Sequence, residues 1–188
     1  EYQELRVLLE VMEAESAKPS DMLDALRRQE LTGYVRAVAT MRPSSIPFSQ
    51  IDRVLPDSRW RLAFSSDISA MGELPSYADV KLSFDAEGST MMDYSLVFTQ
   101  KMLGLKKLNA RSSYKINPQN GMVRCIYEKI STDLFGIKDI GVGAFGMLKG
   151  RYVTIKTVYM DTRMWIERGN GPDGSEYYNV YTRQLESP

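Results

Sequence analysis

Histidine is absent from this sequence of 188 residues, and cysteine occurs once, at position 125. Without histidine the chain lacks the commonest general base and the usual catalytic triad, and most zinc and iron ligand sets need it as well. A single cysteine excludes an intrachain disulfide framework and a cysteine-rich metal site. Carboxylate chemistry stays open, but no pair of carboxylates has a spacing that argues for acid–base work. The composition therefore favours a protein that is not an enzyme.

An excess of charge and long apolar runs are also missing. The 24 basic residues balance the 24 acidic ones, so no global field favours nucleic acid or an anionic membrane, and no nucleic-acid partner is expected. No apolar run approaches the roughly 20 residues that a membrane-spanning helix needs. The chain is long enough to bury a core, and one domain is the simplest interpretation.

The periodicity of the sequence changes from helical to strand-like near residue 58. Apolar residues recur at helical spacing within residues 2–17, and a second helix is predicted from a Ser20 cap towards Val38. Prolines then interrupt residues 41–57, which predicts an ordered linker with little regular structure. We therefore divide the chain into an N-terminal helical arm and linker, residues 1–57, and a β domain, residues 58–188.

The β domain is predicted as a series of short strands joined by turns. Alternating apolar and polar residues mark about eight strands, the number expected for a small antiparallel meander barrel. The inward side chains of such a barrel either line a ligand pocket or fill a solid core, and both outcomes stay open. The inward positions are Leu62, Phe64, Leu82, Phe84, Leu96, Phe98, Tyr114 and Tyr127.

Trp60 on the first strand and Arg168 on a late strand are the predicted closing pair of the barrel. A sheet that curls until its ends meet brings these strands together, and a guanidinium over an indole contributes roughly 0.5–2 kcal/mol. Asp161 is predicted to form a turn between two strands. Cys125, within a strand, is predicted to be a small buried apolar residue.

Two segments combine apolar residues with features of a contact surface. Residues 134–148 hold four glycines and too little periodicity for a stable helix, so they form either an irregular plug at the barrel mouth or a mobile apolar lid or docking patch. Residues 101–107 hold three lysines and suit either a lipid headgroup surface or an ordinary solvated turn. The docking candidates for a membrane or partner are Phe135, Ile137, Phe145, Met147, Lys101, Lys106 and Lys107.

Two motifs of this chain resemble those of the plastid lipid-associated protein, or fibrillin, family. Residues 57–66 (DSRWRLAFSS) are similar to its Gly-x-Trp-x-Leu-x-Tyr-Thr-Ser opening, with Ser58 in place of the glycine. Residues 159–169 (YMDTRMWIERG) are similar to its closing Tyr-Leu-Asp…Leu-Arg-Ile-x-Arg-Gly signature. Trp165 stands where that family has its first Arg, so Arg168 alone carries over as the closing cation.

The resemblance implies a mainly β fold, a lipocalin-like antiparallel barrel in a plastid, associated with chloroplast thylakoids or lipid globules. It implies a non-catalytic protein that requires no cofactor and binds a hydrophobic small molecule: a lipid, a carotenoid, a quinone or chlorophyll. Peripheral membrane contact and a thylakoid membrane protein complex are the partners that it implies. The alternative is a structural or assembly subunit of a thylakoid photosystem or light-harvesting complex, with a filled barrel.

Overall fold

The computed structural model describes residues 2–6, 25–41, 43–66, 78–102, 105–134, 137–141, 150–170 and 174–184. Within these ranges the strands are β1 Arg59–Ser65, β2 Ala78–Phe84, β3 Met91–Met102, β4 Leu105–Asn117, β5 Met122–Leu134, β6 Ile137–Gly141, β7 Tyr152–Met160, β8 Met164–Asn170 and β9 Glu176–Arg183. The helices are α1 Ala25–Met41, a single 3₁₀ turn Phe48–Gln50 and α2 Ile51–Val54, and residues 2–6 are helical as well. Of the helices in these ranges, none is long and apolar enough to span a bilayer.

The sheet closes on itself. Round the ring the order is β1, β2, β3, β4, β5, β7, β8, β9, and every neighbouring pair is antiparallel. Strand β1 pairs with β9, which joins the first strand of the ring to the last. Strand β6 lies outside the ring, on the far half of β5. The fold is therefore mainly β, a lipocalin-like barrel of eight strands within the described ranges, as the sequence predicted.

Two of the predicted turns show why the strands end where they do. At the end of β4, the Asn117 side chain accepts a hydrogen bond from the Gln119 amide at 2.9 Å, and Gly121 takes a positive φ of 69°. Between β7 and β8, Oδ1 of Asp161 accepts hydrogen bonds from the Arg163 and Met164 amides, both at 2.7 Å. Short polar side chains satisfy the free amides at both corners, so the predicted turn role of Asp161 is confirmed.

Helix α1 and residues 2–6 cover one outer face of the barrel. Leu31, Val35 and Val38 recur on one side of α1 and are almost fully buried, while Gly33 lies on its exposed side. The helix packs on the outer surface of β7 and β9. The remaining buried members of this outer cluster are Leu5, Ala63, Phe64, Tyr159, Met164, Ile166, Tyr178 and Val180. Burying these side chains gives the arm its attachment to the barrel.

One end of the barrel interior is solidly filled. Trp60 and Trp165 are fully buried there, and their rings meet edge to face with centroids 5.8 Å apart. The linker contributes to this core, since Ile51 and Leu55 of the α2 region are fully buried against it. The linker is ordered as predicted, and it also forms the 3₁₀ turn and α2, because these turns aim its apolar side chains at the barrel end.

Phe64 does not face the interior, contrary to the prediction. Strand β1 pairs with β9 through Leu62 opposite Tyr181 and then Phe64 opposite Val180, so the register shifts at Ala63. This bulge inserts one extra residue and reverses the alternation of faces. Phe64 therefore packs under helix α1 in the outer cluster.

The predicted closing pair of Trp60 and Arg168 is also wrong. Trp60 lies opposite Arg183, whose guanidinium carbon is 5.8 Å from the centroid of the indole ring. Arg168 lies opposite Tyr178, roughly 17 Å away along β9 at about 3.4 Å per residue. Its guanidinium forms an ion pair with Glu176 at 3.0 Å. A cation does lie over the Trp60 ring, but it is Arg183 on the final strand, β9.

The segment 134–148 was predicted as irregular, yet part of it is a strand. Residues 137–141 form β6, in which Ile137 lies opposite Leu134 and Ile140 opposite Thr132. The far half of β5 pairs with β4 on one side and extends beyond β7 on the other, and β6 pairs with the backbone groups of that open edge. Residues 135–136 and 142–148 of this segment lie outside the described residues, so the choice between plug and lid stays open.

The packing of α1 generates a paired prediction. Leu31→Ala should lower the free energy of unfolding by about 3 kcal/mol, because it leaves a cavity under the helix. Gly33→Ala should raise it by about 0.5–1 kcal/mol, because no described atom outside the backbone of the helix lies within 4 Å of the added methyl group and alanine favours the helix. Urea unfolding followed by tryptophan fluorescence measures both. Equal effects of the two changes would contradict the packing of α1 on the sheet.

Candidate functional site

The other end of the barrel holds a cavity of about 250 Å³. Every strand of the ring except β1 contributes described residues to its wall, so the cavity lies inside the barrel. The residues that line it are Leu82, Met92, Tyr94, Ser112, Cys125, Tyr127, Val153, Thr154, Ile155, Glu167, Arg168, Gly169, Tyr177, Asn179 and Tyr181. Val153 and Thr154 are exposed, which places the opening of the cavity near the start of β7.

A polar cluster, Glu167, Asn179 and Tyr181, forms the floor of the cavity, next to the filled end. Glu167 and Asn179 face each other across β8 and β9. Oε1 of Glu167 accepts hydrogen bonds from Nδ2 of Asn179 at 2.5 Å and from the Tyr181 hydroxyl at 3.2 Å. Successive side chains of β8 alternate between its two faces, so Glu167 faces the barrel interior together with Trp165 and Gly169.

Two acceptor atoms of this polar floor have no partner among the described residues. They are Oε2 of Glu167 and Oδ1 of Asn179, and both are buried. Glu167 is only 6% exposed and Asn179 only 1%. A buried acceptor without a hydrogen bond costs about 1–3 kcal/mol. Buried polar groups in proteins are normally hydrogen-bonded, so these two acceptors single out the floor as the candidate polar contact of the cavity.

Burial dominates the electrostatics of the site. It raises the pKa of Glu167 from an ordinary 4.5 to about 7, although the hydrogen bonds from Asn179 and Tyr181 act in the opposite direction. Burial and then the nearby Glu167 raise the pKa of the Cys125 thiol to about 12. The part of the chain that the structure describes contains no group of three His, Cys, Asp or Glu side chains that could hold a metal ion.

Tyrosines surround the polar floor on several strands. Burial raises the pKa of Tyr94, Tyr127 and Tyr181 above the usual tyrosine range, so these hydroxyls stay protonated at neutral pH. Tyr177 completes the set near Gly169, where an added Cβ would lie 2.3 Å from the Tyr177 ring. Position 169 therefore has to be glycine for that ring to stay in place.

The predicted pocket residues divide into four groups, and the first is Phe64, which packs under helix α1. Leu82 and Tyr127 line the cavity. Leu62, Phe84 and Tyr114 lie in the filled core, with Leu96 packed against it. Phe98, half-buried in β3, does not contribute to the wall of the cavity. The barrel is thus both filled and hollow, at opposite ends, which the sequence had left as alternatives.

The predicted docking candidates gather at the same end as the cavity, as far as they are described. Lys106 and Lys107 lie at the start of β4, and Lys101 near the end of β3. Ile137, on β6, is 64% exposed. Phe135, Phe145 and Met147 lie outside the described residues. Whether this end docks on a membrane or a partner remains a prediction.

The polar floor is not among the sites predicted from the sequence, although the sequence carries a signal for it. Glu167 is two residues from Trp165, so on a strand both must face the same side. A carboxylate that shares a face with a buried tryptophan is a marked exception to the usual exposure of glutamate. Cys125, predicted as a small buried residue, is confirmed as buried, and it also lines the cavity.

Neither a family model nor a curated protein sequence matches this chain. Among solved structures, the chain is similar to Japanin from Rhipicephalus appendiculatus bound to cholesterol, with 11% identity over 73% of this chain and 78% of that chain and a TM-score of 0.43. It is also similar to a redesigned β-barrel, with 12% identity over 76% of this chain and 100% of that chain and a TM-score of 0.34.

The raised pKa of Glu167 generates a pH prediction. Between pH 4.5 and 7 the unfolded chain has released this proton while the folded chain retains it, so stability falls as the pH rises through that window. The whole effect is roughly 3 kcal/mol. Glu167→Gln removes the ionisable group, and this component of the pH dependence should vanish with it.

Urea unfolding of the wild type and the variant at pH 5 and pH 8 measures this effect. Glu128→Gln, on an exposed position of β5, is the matched control and should keep the wild-type pH dependence. Parallel pH profiles for wild type and Glu167→Gln would contradict the burial of an ionisable carboxyl at the floor.

Proposed function

We propose that this barrel binds a hydrophobic small molecule whose polar end lies at the floor formed by Glu167, Asn179 and Tyr181. The cavity of about 250 Å³ carries the proposal. Its wall is largely aliphatic and aromatic, and its unpartnered acceptors are concentrated at one place. That combination is typical of ligand pockets, in which apolar surface supplies affinity and a few polar groups fix orientation.

The cavity volume limits what part of a ligand fits inside. A cavity of about 150 Å³ accommodates benzene, and a water molecule takes about 30 Å³ in the liquid. The cavity therefore suits one ring with roughly three further non-hydrogen atoms. A whole carotenoid or chlorophyll exceeds this volume. The end ring or head of a longer lipid, isoprenoid or quinone fits, with the remainder extending through the opening.

We propose in addition that the chain is a member of the fibrillin family and functions in a plastid, at thylakoids or lipid globules. The two motifs support this, since residues 57–66 supply β1 and residues 159–169 supply the turn between β7 and β8 and most of β8. Fractionation of plastids with an antibody against the protein tests it. Recovery outside plastids would refute the location independently of ligand binding.

We propose a non-catalytic role for the cavity. Glu167 is the one carboxylate among its described lining residues, whereas acid–base chemistry on a lipid usually needs a second group of opposite role. Purified protein should therefore return a bound lipid chemically unchanged, as mass spectrometry of extracted ligand would show.

A structural or assembly subunit of a thylakoid complex is the second candidate. The filled end of the barrel supports this role, because its buried side chains pack into a rigid block. They include Trp60, Trp165, Ile51 and Leu55. Co-migration with a photosystem or light-harvesting complex on native gels would favour this role. Ligand binding by a free monomer, with no such co-migration, would favour the carrier role.

Two neighbouring serines on β4 give a matched test of ligand binding. Ser112 lines the cavity and is 1% exposed, whereas Ser113 on the opposite face donates a hydrogen bond to Glu128 at 3.0 Å. Ser112→Leu fills part of the cavity and should weaken binding of ethylbenzene at least tenfold. Ser113→Leu should leave binding within about twofold. Calorimetric titration measures both, and equal affinities would argue against ligand binding in this cavity.

A further inference from the structure

We propose that the ligand of this cavity carries a primary ammonium group, held at the floor by Glu167 and Asn179 and surrounded by tyrosine rings. The inference rests on the proposed function and names the chemical class of its ligand: an amine with an apolar body of about one ring. Three observations lead to it: the number of missing donors, the sign of the buried charge, and the aromatic wall.

The number of missing donors comes first. Oε2 of Glu167 and Oδ1 of Asn179 both lack a hydrogen bond within the described structure. The two atoms belong to directly paired residues whose other polar atoms, Oε1 and Nδ2, are 2.5 Å apart. A hydroxyl group offers one hydrogen, whereas a primary ammonium offers three from a single atom. An ammonium is thus a compact group that can serve both acceptors at once.

The sign of the charge points the same way. Glu167 and Arg168 are the charged residues among the described lining, and the Arg168 guanidinium pairs with Glu176 at 3.0 Å. The other titratable groups that line the cavity are neutral donors: Tyr94 on β3, Cys125 and Tyr127 on β5, and Tyr177 and Tyr181 on β9. A buried carboxyl group is favoured in its ionised form when an opposite charge lies beside it, and a cationic ligand supplies that charge.

The aromatic wall supplies the third observation. Tyr94, Tyr127, Tyr177 and Tyr181 line the cavity from β3, β5 and β9. Tyrosine faces attract ammonium ions, and cages of such rings are a recurring way to hold them. The same rings bury the apolar body of an amine, so one set of side chains serves both ends of the ligand.

The test uses single-ring probes that differ only in their end group. Phenethylamine carries the ammonium, 2-phenylethanol the hydroxyl and propylbenzene neither, and each matches the cavity volume of about 250 Å³. Calorimetric titration of wild type at pH 8 should show phenethylamine binding at least tenfold more tightly than 2-phenylethanol. At pH 6 the advantage should shrink several-fold, because Glu167, with a pKa of about 7, is then mostly protonated.

Variants and proton release separate the contribution of Glu167. Glu167→Gln should abolish the preference for the amine over 2-phenylethanol, while Glu128→Gln should behave as wild type. Amine binding to wild type at pH 7 should release about half a proton, measured in buffers of different ionisation heat, and the alcohol should release none. The proton measurement needs no variant.

The outcomes distinguish the two proposals. Binding of neither the amine nor the neutral probes would overturn the proposed function itself. Binding of the neutral probes without an amine preference, or a preference that survives Glu167→Gln, would overturn the ammonium assignment and leave the proposed function standing. Amine binding without proton release would also overturn the assignment to Glu167.

Discussion

The packing of Trp60 against Trp165 is the interaction on which the rest of this structure depends. The two rings meet edge to face between β1 and β8, the two neighbours of β9, so they hold together the part of the ring where the first and last strands join. Phe84 and Tyr181 also pack against Trp165. Because this aromatic core secures one end, the other end does not need to be filled.

The polar floor lowers the stability of the barrel, and the proposed ligand binding gives a reason for it. A carboxyl buried without a cation lowers the stability of the empty barrel at neutral pH, and two acceptors without partners lower it further. Core residues chosen for stability alone would be apolar at these positions. Glu167 and Asn179 therefore resemble the locally unfavourable groups that proteins keep at sites of function.

Much of this fold follows from the sequence because strand alternation is a local property. Local patterns alone predict the turns at residues 117–121 and at Asp161. They also predict the eight strands of the ring, without any knowledge of which strands pair with each other. The failures were non-local: a bulge at Ala63 turned Phe64 outward, and the register of β8 on β9 separated Arg168 from Trp60. Glu167 had a local signal, but the environment that raises its pKa comes from other strands and is invisible in the sequence.

Sealing of the filled end by Ile51 and Leu55 makes the barrel blind-ended. A ligand of the proposed kind would therefore enter and leave through the same opening, and one ligand molecule could not displace another by passing through the barrel. The polar end of such a ligand, which lies at the floor, would enter first and leave last. Residence time would then be governed by how readily water re-solvates that leading group, while the trailing part of the molecule stays available to a membrane or an acceptor protein.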